Sequence, residues 1–177
     1  MKEIVQSGNP VLREIAQEVT EDMFGTPQLQ AVVNDMIEAL DSQKDGVAIA
    51  APQIGVSLRI FVVRLDRLQP PTQEAELPAE NAVFINPVFI KSSRRREIMD
   101  EGCLSVRGTY GKTYRYQQTT MRARNVDGST FERGGGGILS QVFQHETDHL
   151  DGILFIDHAL ETYDVDKSGE EVDTTHE

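Results

Sequence analysis

An α+β fold is what this sequence predicts, and three observations predict it. Two segments, near residues 27–40 and 138–150, space their apolar residues as helices do. Short apolar runs between them read as strands, and Asp127-Gly128 marks a tight hairpin that makes its flanking strands antiparallel. At 177 residues, with 38% hydrophobic and 26% charged residues, the chain reads as one globular domain with a real core.

Taken in order, Asn9-Pro10 before "VLREIA" is a cap followed by a proline at the first helical position, enough for a short helix. Thr26-Pro27 repeats the signal, and Leu29, Val32, Val33, Met36, Ile37 and Leu40 then hold helical spacing over three turns. That helix is expected to end near Lys44-Asp45-Gly46, with the glycine in a left-handed cap. Arg59 to Val63 is a buried-strand candidate, Pro70 to Asn81 a polar loop, and Ala82 to Ile90 a strand in which Pro87 implies an edge or a bulge. The hairpin at Asp127-Gly128 follows, and the run Gly134 to Gly137 is expected to break its second strand. Behind it "ILSQVFQHETDHL" reads as a helix with Ile138, Leu139, Val142, His145 and Leu150 on its core face.

The net charge of −12 argues against a general affinity for nucleic acid. Seven carboxylates against Lys167 lie between Glu161 and Glu177, so the chain is expected to divide into one main domain over 1–160 and an acidic, flexible, solubilising tail over 161–177. One cysteine, Cys103, allows no internal disulfide and suits a reducing compartment. The N-terminal "MKEIVQSGNP" has no apolar core, and no run approaches the ~18 residues of a membrane span. A cytoplasmic location without membrane contact is expected.

The chemistry concentrates in "QHETDHL". His145 and His149 are one helical turn apart, so both imidazoles leave one face, with Glu146 beside them. This HExxH pattern suits a hydrolytic metal that lowers the pKa of its water toward ~7 while the carboxylate takes the proton. A third ligand is needed. The protease extension HExxHxxGxxH holds as far as Gly152 but then meets Phe155, and the downstream glutamates fall in the acidic tail. Upstream, "EGCLS" (101–105) offers Cys103. A lone cysteine is commonly an inert core residue, yet as a thiolate it completes a Cys-His-His set with an open position. A Cys-His nucleophile pair would leave Glu146 and one histidine without a role. The segment "GVAIAAPQIG" adds small residues and one amide, Gln53, suited to stabilising an oxyanion.

In this order, "GVAIAAPQ", "EGCLS" and "QHETDHL" resemble the three signature motifs of the peptide deformylases, over roughly residues 1–160. The resemblance implies antiparallel sheets around a central helix that carries HExxH. It also implies removal of the formyl group from the N-terminal formyl-methionine of new polypeptides, with release of formate. Position by position, it implies that Cys103, His145 and His149 hold one divalent metal, most commonly Fe²⁺, with Zn²⁺, Ni²⁺ or Co²⁺ as alternatives. Glu146 would be general base and then acid, and Gln53 with the Leu104 backbone N–H would form the oxyanion hole. Gly46, Val47 and Ala48 would flank the peptide as an added strand, Val47 and Val142 would line the methionine pocket, and Glu101 would pair with Arg115.

Two positions depart from the family pattern: Ala48 replaces a motif glycine, and Tyr110 stands where bacterial relatives often carry arginine. Alanine at 48 would carry strain if the position required φ > 0. A related metal-dependent amidase or peptidase with another N-acyl preference is the alternative reading. Arg94-Arg95-Arg96 is read as a solvated loop, with a transient ribosome contact as its alternative role.

Overall fold

The computed structural model describes residues 2–68 and 80–165. Within them are two α-helices, α1 (Pro27–Asp41) and α2 (Ile138–Leu150). The strands are β1 (Ala48–Ala50), β2 (Ile60–Arg64), β3 (Asn81–Ser92), β4 (Arg96–Cys103), β5 (Val106–Tyr116), β6 (Gln118–Arg124), β7 (Thr130–Gly136) and β8 (Glu161–Asp164). They form a five-stranded sheet in the order β1-β2-β3-β6-β7 and a three-stranded sheet in the order β4-β5-β8. All the pairings are antiparallel. The expected α+β class, with antiparallel sheets about the helix that carries HExxH, is the one adopted.

Strand β2 explains where the core sits. Its residues Ile60, Phe61, Val62 and Val63 are all fully buried, because side chains alternate and both faces of the larger sheet are covered. Ile60 and Val62 pack toward Leu29, Val33, Met36 and Leu40 of α1. Phe61 and Val63 pack with Phe84 and Met121 against Val142, Phe143 and Leu150 of α2. Phe61 stacks on Phe84 at 4.6 Å between ring centres, and Phe143 meets Phe84 edge-on at 5.1 Å. Helix α2 also packs on β5 and β7, so it lies between the two sheets with its polar residues held inside the molecule.

Local signals act largely as expected. Asn9 caps a 3-10 turn over Pro10–Arg13, and the Thr26 hydroxyl accepts from the Leu29 N–H at 3.3 Å to start α1. Pro87 sits in a bulge rather than on an edge, since β3 lies between β2 and β6 and its register with β6 shifts between Ile85 and Val88. Asn86 takes the left-handed conformation there (φ 48°), and its side-chain amide closes on both backbone groups of Val19, at 2.9 and 2.8 Å.

Four expectations are corrected. Gly46 is not the left-handed cap of α1, which ends at Asp41. Arg67 satisfies nearby carbonyls instead, donating from Nη1 to Leu40, Gln43 and Gly46 at 3.3, 3.0 and 2.6 Å. Glycine is needed at 46 for room, because a Cβ would stand 3.0 Å from both Leu104 Cδ1 and Leu40 Cδ1. The glycine run does not break β7 at 134: Gly134, Gly135 and Gly136 pair with Thr120, Thr119 and Gln118, and only Gly137 (φ 54°) turns the chain into α2. Ile138 is 54% exposed rather than in the core. The boundary at 160 falls inside the fold, because Glu161–Asp164 pairs with β5, which recruits into the smaller sheet residues that composition assigns to the tail. The remainder of that tail from residue 166, and residues 69–79 of the expected polar loop, lie outside the described residues.

Candidate active site

Three elements bring the candidate residues together. Helix α2 is locked in place by its own polar side chains. Ser140 Oγ lies 3.0 Å from Thr119 Oγ1, and Gln144 accepts from the Tyr116 N–H at 2.9 Å while donating to the Tyr116 carbonyl at 3.0 Å. Gly152 (φ 73°) ends the helix region, against the Arg13 carbonyl, so the glycine of HExxHxxG here has a structural task. The β4–β5 turn presents Cys103 and Leu104, and a register shift after Gly102 pairs Cys103 with Val106. A 3-10 turn over Ala51–Ile54, entered from β1, presents Gln53. The N-terminal segment straps the last two together: Val5 N–H donates to Gln53 O at 2.9 Å, and Ser7 N–H to Ser105 O at 2.7 Å.

Cys103, His145 and His149 converge from this arrangement, with one donor atom from each within 4.8 Å of the others. Cys103 Sγ lies 3.1 Å from His149 Nε2. Glu101 Oε1 stands 2.6 Å from His145 Nδ1, which orients that ring and leaves Nε2 to face the cluster. Glu101 is itself held by Arg115, through Nη2 at 2.6 Å and Nε at 2.9 Å, and by the Thr113 hydroxyl at 2.6 Å. Arg115 continues to Asp148 at 2.7 Å, and Asp148 to His158 at 3.2 Å. The Glu101–Arg115 pair is an expected contact; the extension through Asp148 and His158, and the bond to His145, are not visible in the motifs. Phe155 packs its ring beside His145, at 6.3 Å between centres, where the protease pattern would demand a histidine.

Burial sets the electrostatics. Glu146 is 4% exposed, and its carboxyl is pushed up to about 7 by removal from water. Burial also holds His149 well below its ordinary pKa, with His145 adding to the effect. Against the cost of burial, hydrogen bonds from His145 and Arg115 keep the Glu101 carboxyl well below the usual carboxylate range. Among the described residues, two buried side-chain atoms have no hydrogen-bond partner, Glu146 Oε2 and His149 Nδ1. Both belong to this cluster. A thiolate with two imidazoles suits a borderline-to-soft divalent ion, so the donor set and the unpartnered Glu146 beside it fit a metal and its water.

Gln53 is oriented rather than merely nearby. Its Oε1 accepts from the Ala50 N–H at 2.8 Å, which turns the amide nitrogen toward Ser105 Oγ at 3.1 Å and Cys103 Sγ at 3.6 Å. Ser105 is thus a supporting residue that sequence reasoning missed; it is the last residue of "EGCLS". A cavity of about 240 Å³ opens over the cluster, lined by Gly46, Val47 and Ala48 on one wall and by Leu104, Val142 and Glu146 among others. Among the described residues strand β1 pairs only with β2, and its residue Ala48 borders this space. Ala48 has no positive φ and carries no strain of the kind feared for a lost glycine. Nine of the ten candidate residues line this cavity, and the tenth, His149, is buried against Cys103 at 3.1 Å.

An HExxH helix with a cysteine closed against its second histidine, at the edge of a cavity, defines the class: a metal-dependent hydrolase. The chain belongs to the polypeptide deformylase family, whose model matches residues 1–164. It is similar to the peptide deformylase of Acidobacterium capsulatum, at 42% identity over 88% of this chain and 85% of that one. Peptide deformylase 1A of Arabidopsis thaliana, chloroplastic/mitochondrial, is 37% identical over 89% of this chain and 61% of its own length. Among solved structures, the Legionella pneumophila peptide deformylase matches with a TM-score of 0.77 at 35% identity, covering 89% of this chain and 85% of that one. A class I type b enzyme from Acinetobacter baumannii, solved with Met-Ala-Ser bound, matches at 0.78 and 27% identity over 89% of this chain and 99% of that one.

Proposed function

We propose that this chain performs the deformylase reaction of its family, hydrolysis of the N-terminal formyl group of formyl-methionine polypeptides, with the residues gathered at this cleft. Cys103, His145 and His149 hold the divalent metal, Fe²⁺ in the cell, with Zn²⁺, Ni²⁺ and Co²⁺ as ions the same donors accept. When bound, the ion supplies Lewis acidity at the position open to substrate and water. Glu146 Oε2, buried and without a protein partner, takes the proton of the attacking water and returns it to the departing amine. A carboxyl pushed up to about 7 is matched to that exchange near neutral pH. Gln53 Nε2, aimed by the Ala50 N–H, and the Leu104 N–H donate to the oxygen that gains charge. Gly46, Val47 and Ala48 pair with the peptide backbone, and Val47 and Val142 receive the methionine side chain.

The observation that carries this reading is the Cys103–His149 approach beside an unpartnered Glu146. The decisive measurement is formate release from formyl-Met peptides by anaerobically purified protein loaded with Fe²⁺, Ni²⁺ or Co²⁺. Turnover is expected on formylated peptides and not on unformylated ones, and Cys103→Ala should lose the metal by elemental analysis. Absence of turnover with every ion would overturn the proposal.

For its setting we infer the cytoplasm, where nascent chains and a reduced Cys103 coexist. Among the described residues no helix is long and apolar enough to cross a membrane. Ribosome contact would fall to Arg94-Arg95-Arg96 at the turn from β3 into β4, where Arg94 and Arg95 are exposed and Arg96, the first residue of β4, lies over the Tyr114 and Tyr116 rings at 5.7 and 5.0 Å.

A further inference from the structure

One wall of the cavity, Asp45 to Ala48, is made of chain that belongs to no helix, and only its last residue enters a strand. Something else must hold it. Helix α1 stops at Asp41, so its last carbonyls need donors from outside the helix. Arg67, in a 3-10 turn over Leu65–Leu68 behind β2, supplies them from Nη1, to Leu40 at 3.3 Å and to Gln43 at 3.0 Å. The shortest bond from that nitrogen, at 2.6 Å, runs past the helix end to the Gly46 carbonyl, on the cavity wall.

The guanidinium is itself fixed. Arg67 Nη2 donates to Asp41 Oδ1 at 3.2 Å, and the same oxygen accepts from Arg64 Nη1. Arg64 is buried, with Nε and Nη2 forked onto Asp66 at 2.9 Å each. Its backbone N–H donates to the Val47 carbonyl at 2.8 Å. Two successive carbonyls of the wall are therefore tied to one pair of arginines that shares Asp41. On the cavity side Arg107 reaches Asp45 at 2.6 Å and also Gln43. The side chains of that outer pair are 43% and 61% exposed, and an exposed pair holds a loop weakly. The Arg67 side chain, 21% exposed, makes the firmer contact.

These contacts involve none of Cys103, His145, His149 and Glu146. The oxyanion donors are braced separately: Gln6 Nε2 donates to the Leu104 carbonyl at 3.0 Å, and Gln53 is held by Ala50 and Ser105. We propose, resting on the deformylase reading above, that Arg67 is a positioning residue for the substrate. By holding the Gly46 carbonyl it sets the wall along which the peptide backbone beyond the formyl-methionine lies. It acts on the binding of longer peptides and not on the chemical step.

The test compares two substrates of different reach, formyl-Met-Ala-Ser and formyl-Met-amide, using the metal-loaded full chain. In Arg67→Ala, KM for formyl-Met-Ala-Ser should rise about 3- to 10-fold, the worth of one such hydrogen bond, with kcat within about twofold. The kcat/KM preference for the longer substrate should shrink by a similar factor. Because that ratio is taken within each variant, a loss of folded protein cancels. Arg67→Lys keeps the charge but not the fork, and should recover only part of the preference. Asp41→Asn should move the ratio the same way by less, and should add little on the Arg67→Ala background. Met36→Ala, which loosens α1 away from the wall, should lower thermal stability and leave the ratio at its wild-type value. Should Arg67→Ala fail to fold, Arg67→Lys and Asp41→Asn carry the test. An unchanged ratio, an equal loss on both substrates, or a fall in kcat alone would leave Arg67 a brace for the helix end and overturn this proposal. Failure of the wild-type chain to deformylate either substrate overturns the enzymatic reading instead.

Discussion

Helices α1 and α2 lie against opposite faces of the same sheet, yet what they bury is different. The 15-residue α1 buries Leu29, Val33, Met36, Ala39 and Leu40, all apolar. The 13-residue α2 buries Val142, Phe143 and Leu150, but also Ser140, Gln144, Glu146 and His149. Apolar burial stabilises by ~1.5–3 kcal/mol for each large side chain, whereas a buried polar group is costly unless it is paired. Ser140 and Gln144 are paired with Thr119 and Tyr116, and they hold the helix in place. Glu146 Oε2 and His149 Nδ1 are not paired. One helix is scaffold; the other gives up stability at Glu146 and His149, the positions the proposed chemistry would use.

That contrast can be broken most sharply by Glu146→Gln. Turnover should fall by about 10²–10⁴-fold, the range for loss of a general acid–base group, while bound metal and thermal stability stay near wild type. Retained activity would remove Glu146 from its role and with it the functional half of the comparison. On the scaffold side, Met36→Ala should cost about 2–5 kcal/mol of unfolding free energy and leave kcat/KM per folded molecule unchanged. Denaturant titration paired with active-site-normalised kinetics checks both, and a catalytic effect from Met36 would merge the two regions.

Smaller effects sharpen the picture. Glu101→Gln removes the charge that orients His145 and compensates buried Arg115, so metal affinity should fall by about 10- to 100-fold in competition with a chelator. An unchanged affinity would confine Glu101 to structure. The smallest effect is in pH dependence. Glu146 must be ionised to accept a proton, and burial pushes its carboxyl up to about 7. Activity is therefore complete above the limb and falls tenfold per unit below it. A bound cation favours the ionised form, so the acid limb of kcat/KM should lie at or below pH about 7. A limb above that value would point to another group.

Much of this protein is legible in its sequence wherever the signal is local. Thr26-Pro27 starts a helix because a hydroxyl and a fixed φ act within one turn. Asp127-Gly128 closes a hairpin because Gly128 alone must take φ 86°. The four-residue spacing of His145 and His149 puts two imidazoles on one face whatever surrounds them. What mislead are positions whose residue type has two physical explanations. Gly46 has the composition of a left-handed cap but is required for clearance against Leu104 and Leu40. Gly134 to Gly136 read as a break but continue β7, and acidic Glu161–Asp164 reads as tail but completes a sheet.

By itself, then, the sequence determined the two helices, the hairpin and the placing of His145 and His149 on one helix face, because each is encoded by contacts a few residues apart. Only the tertiary structure decided that Cys103 stands 3.1 Å from a histidine 46 positions away, and that Gln53 is aimed by Ala50 and braced by Ser105. It also decided that Arg115 links Glu101 to Asp148, and that Tyr110 rests on Gly102 and against Tyr163. These depend on where sheets cross and how strands register. That geometry is set by the packing of the whole core, and no local pattern of residues carries it.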